Sequence, residues 1–354
     1  MTENTNKRLL ALDILRGLTI AFMCIVNNPG TWSHVYAPLR HSPWNGCTPT
    51  DLVYPFFIFC MGVAMAFAFS KFEGLNAAAA KKIFKRSFLI FLTGFLLNIF
   101  PFYNLDPGHF RIPGVLQRIA LSYLLASLIV LGCKKDVKKV AVCGVGLAVM
   151  FTCCLLTGGD LSLEGNAARK LDHAVFGENY IYHGYGIPFD PEGLLGTLTG
   201  ACTAILGFLT GSMIKKGTDA RSTIIKLLVS GLLCLGAGKL LDIWLPINKP
   251  LWSVSFVLYA GGWAILALCL ISFLTDELGW SKIFVPAQAM GMNALMAFIL
   301  SGCIARLFSV SGWHPGQLYF SANELTSLCY ALLFMLLIFC LLWLLYKKKI
   351  FIKF

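Results

Sequence analysis

Charge is what this sequence has least of. Only 13% of its 354 residues are Asp, Glu, Lys or Arg, about half of the ~25% usual in a soluble domain. Acids are scarcer than bases, 17 against 29. A chain that is 57% hydrophobic, with a mean hydropathy of +0.74, reads as an all-α polytopic membrane protein. Other absences narrow the chemistry. There is no P-loop, no Rossmann glycine pattern after a strand, no HExxH and no GxSxG, which argues against ATP-driven transport and serine hydrolysis. Thirteen cysteines form no CxxC pair, and most lie in apolar runs, so neither a disulfide framework nor a metal is expected. No soluble domain, linker or internal repeat interrupts the chain. Residues 1–354 read as one membrane domain.

The net charge of +12 does not imply nucleic acid, because that needs basic residues gathered on one solvated face. Here they punctuate apolar runs, and the expected surroundings are lipid. A basic flank, MTENTNKR, precedes the first apolar run with no small-residue cleavage site, so that run is read as a retained span.

Crossing the hydrocarbon core takes about 20 apolar residues. Ten segments qualify, near 9–26, 52–70, 87–103, 115–132, 139–156, 193–214, 222–246, 251–274, 284–309 and 325–346. Basic residues fall in alternate loops: Lys7 and Arg8, Lys71 to Arg86, Lys134 to Lys139, Lys215 to Arg221, and Lys347 to Lys349. The positive-inside rule then puts both termini in the cytoplasm. All six histidines fall on the opposite side: His34, His41, His109, His173, His183 and His314. The loop 157–193 is the only sizeable outer piece and is expected to be periplasmic.

The loop between the first two spans holds Asn27, Asn28, His34, His41, Trp44, Asn45 and Asp51. A structural hairpin needs none of these. His41 stands among Pro38, Pro43 and Pro49, which stiffen the loop, and its imidazole can take and return a proton near neutrality. An ordinary hydrated surface histidine is the competing reading. Asn27 and Asn28 read either as helix-end amides before Pro29 or as donors to a developing oxyanion. Asp51 can cap the second span or orient His41 through its other ring nitrogen.

Further along, Arg111, Gln117 and Arg118 open the fourth span. Charge at membrane depth usually faces a cavity or a partner, while snorkelling to the interface is the alternative for Arg118. Asp190 and Glu192 precede the sixth span, where the helix dipole favours acids; binding an ammonium is their second reading. Asn248, Lys249 and Trp252 form a short outer turn. Asn293 lies inside span nine, and Lys239 and Asp242 stand three apart in span seven.

Several stretches carry a resemblance: LDILRGLTI, VNNPG, HSPWNG, TDLVYPFFIFCMGVAM, RIPGVLQRIA, FDPEGLLGTLTG, INKPLWSVSFVLYAGGWA and GMNAL, in that order over nearly the whole chain. Together they resemble the heparan-α-glucosaminide N-acetyltransferase family. That resemblance implies transfer of acetyl from cytosolic acetyl-CoA to an amino-sugar acceptor on the lumenal side, equivalent to the bacterial periplasm. His41 matches the active-site histidine of the H-x-x-W-N-G motif, and Asn27 matches an asparagine proposed to act with it. The resemblance also implies a homodimer. It does not extend to the large lumenal extension and extra N-terminal helix of the animal enzymes.

The expectation is therefore a ten-span N-acetyltransferase of a bacterial cytoplasmic membrane. His41 acts as general base or acetyl carrier, with Asn27 and Asp51 as its catalytic partners. Arg111, Arg118, Lys249 and Asn293 are expected to hold acetyl-CoA. Trp44, Asn45, Asp190, Glu192 and Asn248 are expected to hold the acceptor. O-acetylation of an envelope polysaccharide and transport of sugars or acyl precursors are the alternatives.

Overall fold

The computed structural model describes residues 9–102 and 110–352. His109, Lys7 and Arg8 lie outside them. The described chain is helical throughout, with no strand. Its helices are α1 (Leu10–Asn27), α2 (Val53–Ala68), α3 (Ala77–Ile99), α4 (Val115–Gly132), α5 (Val137–Thr157) and α6 (Ala167–Phe176). They continue with α7 (Gly196–Lys216), α8 (Ala220–Leu241), α9 (Val254–Ser272), α10 (Val285–Met292), α11 (Ala294–Ser311), α12 (Pro315–Tyr319) and α13 (Glu324–Lys347).

Among the described residues, nine helical segments are long and apolar enough to cross a membrane. The tenth expected span, 87–103, is not among them. Its helix α3 starts earlier, at Ala77, and spends its first turns on Lys81, Lys82, Lys85 and Arg86. The expected span 284–309 is broken at Asn293, which separates α10 from α11.

Five helices form the centre. The most apolar stretches of α1, α2, α4, α7 and α9 are 56–61% buried, against 11–22% for α5, α8, α11 and α13. In lipid, van der Waals packing is a main force between helices, and small residues allow the close backbone approach it needs. Glycine provides it at the α2–α7 crossing, where a Cβ on Gly62 would lie 1.9 Å from the Ala204 carbonyl oxygen and one on Gly207 would lie 2.2 Å from that of Phe59. The α1–α10 pair repeats the device: Gly17 faces Ala287, and Gly291 faces Asp13.

Contacts between loops gather them at two ends of the bundle. At one end Gly46 N–H donates to Ile247 (2.6 Å), Ile112 N–H to Tyr180 (2.9 Å), and Gly30 N–H to Ser327 (3.2 Å). His34, His41, His173, His183 and His314 all stand in the loops and short helices of this end. At the other end Leu75 N–H donates to Leu131 (3.0 Å) and Lys135 Nζ to the Phe72 carbonyl. The Lys and Arg runs stand there. The described histidines and the Lys and Arg runs thus stand at opposite ends of the bundle, although single cations such as Lys249 and Arg111 share the histidine end.

Candidate active site

The α1–α2 loop ends in a single 3₁₀ turn, Pro49–Leu52, that leads into α2. Asp51 sits in this turn and is 1% exposed. Its two oxygens do different things. Oδ2 accepts from Ser42 N–H, Thr48 N–H and Thr48 Oγ1, each at 3.0 Å, which ties the loop to the head of α2. Oδ1 faces His41 Nδ1 at 2.7 Å and Lys249 Nζ at 3.2 Å. Lys249 Nζ also lies 3.0 Å from His41 Nδ1. A buried carboxylate that accepts this many donors is held as the anion. In the tautomer that carries its hydrogen on Nδ1, that nitrogen donates to Oδ1. The lone pair is then on Nε2, which has no hydrogen-bond partner among the described residues. The His41 side chain is 48% exposed, so this lone pair is reachable from outside. A wet imidazole on a dry, ionised carboxylate is the arrangement that acyl transfer uses to move a proton.

Lys249 comes from the α8–α9 loop, and local structure explains how it arrives. Gly46, at φ +103°, takes a left-handed turn that favours glycine. That turn pairs with Ile247 and Asn248. Asn248 Nδ2 donates to Asn45 Oδ1 (3.1 Å), and Asn248 Oδ1 accepts from Leu251 N–H (2.7 Å). Trp44 Nε1 donates to the Leu161 carbonyl (2.9 Å), and its ring packs edge-on against Phe189 and Tyr185. The structure therefore uses Trp44, Asn45 and Asn248 to fix the loop. Cys47, beside Asp51, offers no nucleophile: burial, then the nearby carboxylate, push its thiol up to about 12, and the neutral thiol is unreactive.

Comparison with known proteins bears on this arrangement. The family model for heparan-alpha-glucosaminide N-acetyltransferase, catalytic, matches residues 8–163. Proteins of that name from Mus musculus and Homo sapiens are 26% and 27% identical to the chain. Those alignments cover 99% and 98% of this chain but 61% and 60% of the relatives. The chain is similar to the heparan-alpha-glucosaminide N-acetyltransferases. It spans about three fifths of the length of those relatives.

The stretch matched by the acetyltransferase family model contains His41, Asp51, Asn27, Arg111 and Arg118, but not Lys249. Asn27, at the end of α1, is exposed. It lines a cavity of about 190 Å³ in which His41 has no part. Neighbouring Asn28 turns back onto the Cys24 carbonyl (2.9 Å) as a helix-end amide.

Arg111, Asp190 and Glu192 satisfy one another. Arg111 Nε and Nη2 bind the two Asp190 oxygens at 2.8 and 2.5 Å, and Nη2 also binds Glu192. The guanidinium stacks over Tyr182, 4.9 Å from the ring centre. Burial works against the charged forms. The mutual attraction outweighs it, holding Arg111 above its ordinary range and Glu192 below.

Arg118 is buried over the Trp252 ring (5.2 Å), with Nη2 on the Gly193 carbonyl (3.0 Å). Its Nε and Nη1 have no partner among the described residues, which leaves donors for a ligand or water. Asn293 is already occupied: Nδ2 donates to the Ile350 carbonyl, and Oδ1 accepts from Ile352 N–H, both at 3.0 Å. Lys239 and Asp242 form an ion pair at 3.1 Å on the surface of α8.

Of the residues expected to act together, the structure joins His41 with Asp51 and adds Lys249 to them. The sequence carries no signal that links Lys249 to Asp51, since the two stand far apart along the chain. Trp32, His314 and Gln317, which share the cavity with Asn27, stand in no recognisable motif.

Proposed function

We propose that the protein is a membrane-embedded acetyltransferase that moves acetyl from acetyl-CoA to the amine of a glucosamine-type acceptor. The observation that carries this reading is the His41–Asp51–Lys249 group, with Nε2 open to the outside. The similarity of the chain to N-acetyltransferases supports it. In the reaction the acceptor amine attacks the thioester carbonyl carbon, and a new C–N bond forms as the C–S bond breaks. His41 Nε2 takes the proton that the amine must lose, and CoA leaves as its thiol after receiving a proton. Asp51 keeps Nδ1–H in place and faces the transient imidazolium, while Lys249 keeps Asp51 ionised. If the acetyl instead rests on Nε2, the same Nδ1–Asp51 bond supports the intermediate. Arg118, with its two free nitrogens, is the side chain we assign to the donor's side of the site.

The positive-inside rule supports a cytoplasmic-membrane orientation in which the cation-rich end faces the cytoplasm and His41 faces the periplasm. The substrates then approach from opposite ends of the central helices. A homodimer is the proposed assembly, read by light scattering of the protein in detergent.

The test uses purified protein, [14C]acetyl-CoA and glucosamine. Wild type should form labelled N-acetylglucosamine. His41→Ala should lower turnover by ~10²–10⁴-fold, the range for losing a general base, while the melting temperature stays close to wild type. Wild-type turnover in His41→Ala would remove the assignment. Glucosamine uptake into vesicles without acetyl-CoA would favour transport, and acetylation of N-acetylglucosamine would favour a hydroxyl acceptor.

A further inference from the structure

Helix α3 carries cations on the face it turns away from the protein. Its buried residues, Ile83, Ser87, Ile90, Gly94 and Leu97, recur every three or four positions, and the helix packs chiefly on α4. The opposite stripe is exposed and reads Lys81, Lys85, Phe88, Leu92 and Leu96. The same spacing puts these five side chains on one face. Two cations thus stand in line with an apolar stripe, of which Phe88 is 63% exposed. Orientation by charge asks only for cations in the flanking loop. It does not ask for this alignment.

Lys82 and Arg86 flank the stripe. Lys82 Nζ lies 5.7 Å from the centre of the Phe72 ring, and the Arg86 guanidinium 4.8 Å from that of Tyr123. An aromatic face attracts a cation but leaves its charge in place. None of Lys81, Lys82, Lys85 and Arg86 has a carboxylate partner among the described residues, and the buried Nε of Arg86 has no hydrogen-bond partner there. The acids nearest in sequence do not serve. Asp136, in the α4–α5 turn, accepts from the N–H groups of Lys138 and Lys139. Glu73, in the α2–α3 turn, is exposed and forms no ion pair with a described residue.

The ground under these cations is fixed. Leu75 N–H donates to the Leu131 carbonyl (3.0 Å) and Lys135 Nζ to the Phe72 carbonyl, which tie the α2–α3 turn to the end of α4. From Lys85 to Leu96 the stripe runs about 16 Å at ~1.5 Å per residue. That is the depth of one leaflet of a ~30 Å hydrocarbon core. A soluble polyphosphate would use the charges and leave the apolar stripe uncovered. A phospholipid with net negative charge matches both parts, with its phosphate on the cations and an acyl chain along the stripe.

We propose that the exposed face of α3 is a binding site for an anionic phospholipid. Lys81 and Lys85 hold the headgroup, Phe88, Leu92 and Leu96 carry the acyl chain, and Lys82 and Arg86 add their charge from the sides. The inference goes beyond the acetyltransferase reading and does not depend on it.

The test is native mass spectrometry of the full chain in detergent, titrated with phosphatidylglycerol or with phosphatidylcholine of the same acyl chains. Wild type should bind phosphatidylglycerol at least about tenfold more tightly. The double variant Lys81→Gln/Lys85→Gln should lose most of that preference, about fivefold for each lysine near an anionic headgroup. Lys81→Arg/Lys85→Arg should keep it, and so should Lys347→Gln/Lys348→Gln, which removes cations after α13. Equal binding of the two lipids by wild type would overturn the site. So would a preference that survives the α3 glutamines, or one lost equally with the α3 arginines or with the α13 glutamines. CoA that displaces phosphatidylglycerol from wild type would assign the cations to a soluble polyphosphate and overturn the lipid site as well.

Discussion

At His41 the imidazole is half exposed, while the carboxylate beneath it is shut away from water. This division assigns different consequences to neighbouring substitutions. Asp51→Asn keeps the shape but loses the anion that faces both Nδ1 and Lys249. Turnover should fall by ~10²–10⁴-fold, as when an acyl-transfer histidine loses its orienting acid. The melting temperature should fall as well, because Lys249 is left without its partner. Lys249→Met removes the cation and leaves a buried carboxylate. It should cost stability and some turnover, yet leave glucosamine acetylation measurable. A Lys249→Met variant with wild-type thermal stability would separate the lysine from Asp51.

Asp172 gives the one pH prediction that the loops support. It sits on α6, fully buried, with Oδ1 accepting from Leu194 N–H (2.9 Å) and Oδ2 unpartnered among the described residues. Burial raises its carboxyl to about 7. The folded state thus holds a proton that the unfolded chain releases from about pH 4 upward. This contribution to stability is present in full below the ordinary carboxylate range and is lost as pH rises toward 7. Asp172→Asn cannot ionise, so its melting temperature should decline less between pH 4.5 and 7.5 than that of wild type. Differential scanning fluorimetry checks the sign.

Among the elements, the α2–α7 crossing is the most exacting. Gly62→Ala and Gly207→Ala each force a methyl group into a carbonyl oxygen of the facing helix and should destabilise by about 1–3 kcal/mol. On α5 a Cβ added at Gly146 would meet no atom of another element within 4 Å, so Gly146→Ala should leave the melting temperature unchanged or raised. Composition and length identify most of these helices, and the notable differences have local causes. The cations of α3 sit inside the helix rather than before it, because hydropathy marks the apolar half and not the first turn. The break at Asn293 is invisible to hydropathy because its amide is satisfied by Ile350 and Ile352, which lie far along the chain. At the candidate site, the proline-stiffened loop and the two possible contacts of Asp51 are legible from residue chemistry; Asp51 makes both, one to the head of α2 and one to His41. Lys249 is not, since its meeting with Asp51 depends on how the Gly46 turn pairs with Ile247. Arg111, Asp190 and Glu192 showed their charges in sequence but not that they spend them on one another.

The described molecule is polarised along its axis, with its histidines at one end and its Lys and Arg runs at the other. If the cation-rich end is cytoplasmic, an impermeant maleimide added to intact cells should label Ser33→Cys above the background of the native cysteines, and should not label Lys138→Cys. The reverse pattern would invert the protein. The outer helices α5, α8, α11 and α13 show much of their apolar surface, the face a lipid-embedded protein turns to its solvent. A charge placed there, as in Leu233→Arg, should reduce the membrane-inserted yield, because a cation at the helix centre costs ~2.5–3.5 kcal/mol on insertion scales.

The pairing of the Gly46 turn with Ile247 has a temporal consequence. While the chain is being made, the loop that carries His41 and Asp51 is complete well before Lys249, the cation beside them, is translated. The electrostatic frame of the imidazole is therefore completed late, when the α8–α9 turn that carries Lys249 docks on the loop before α2. Two co-expressed fragments divided near Gly217 should each be silent alone and regain acetyl transfer only on reassociation.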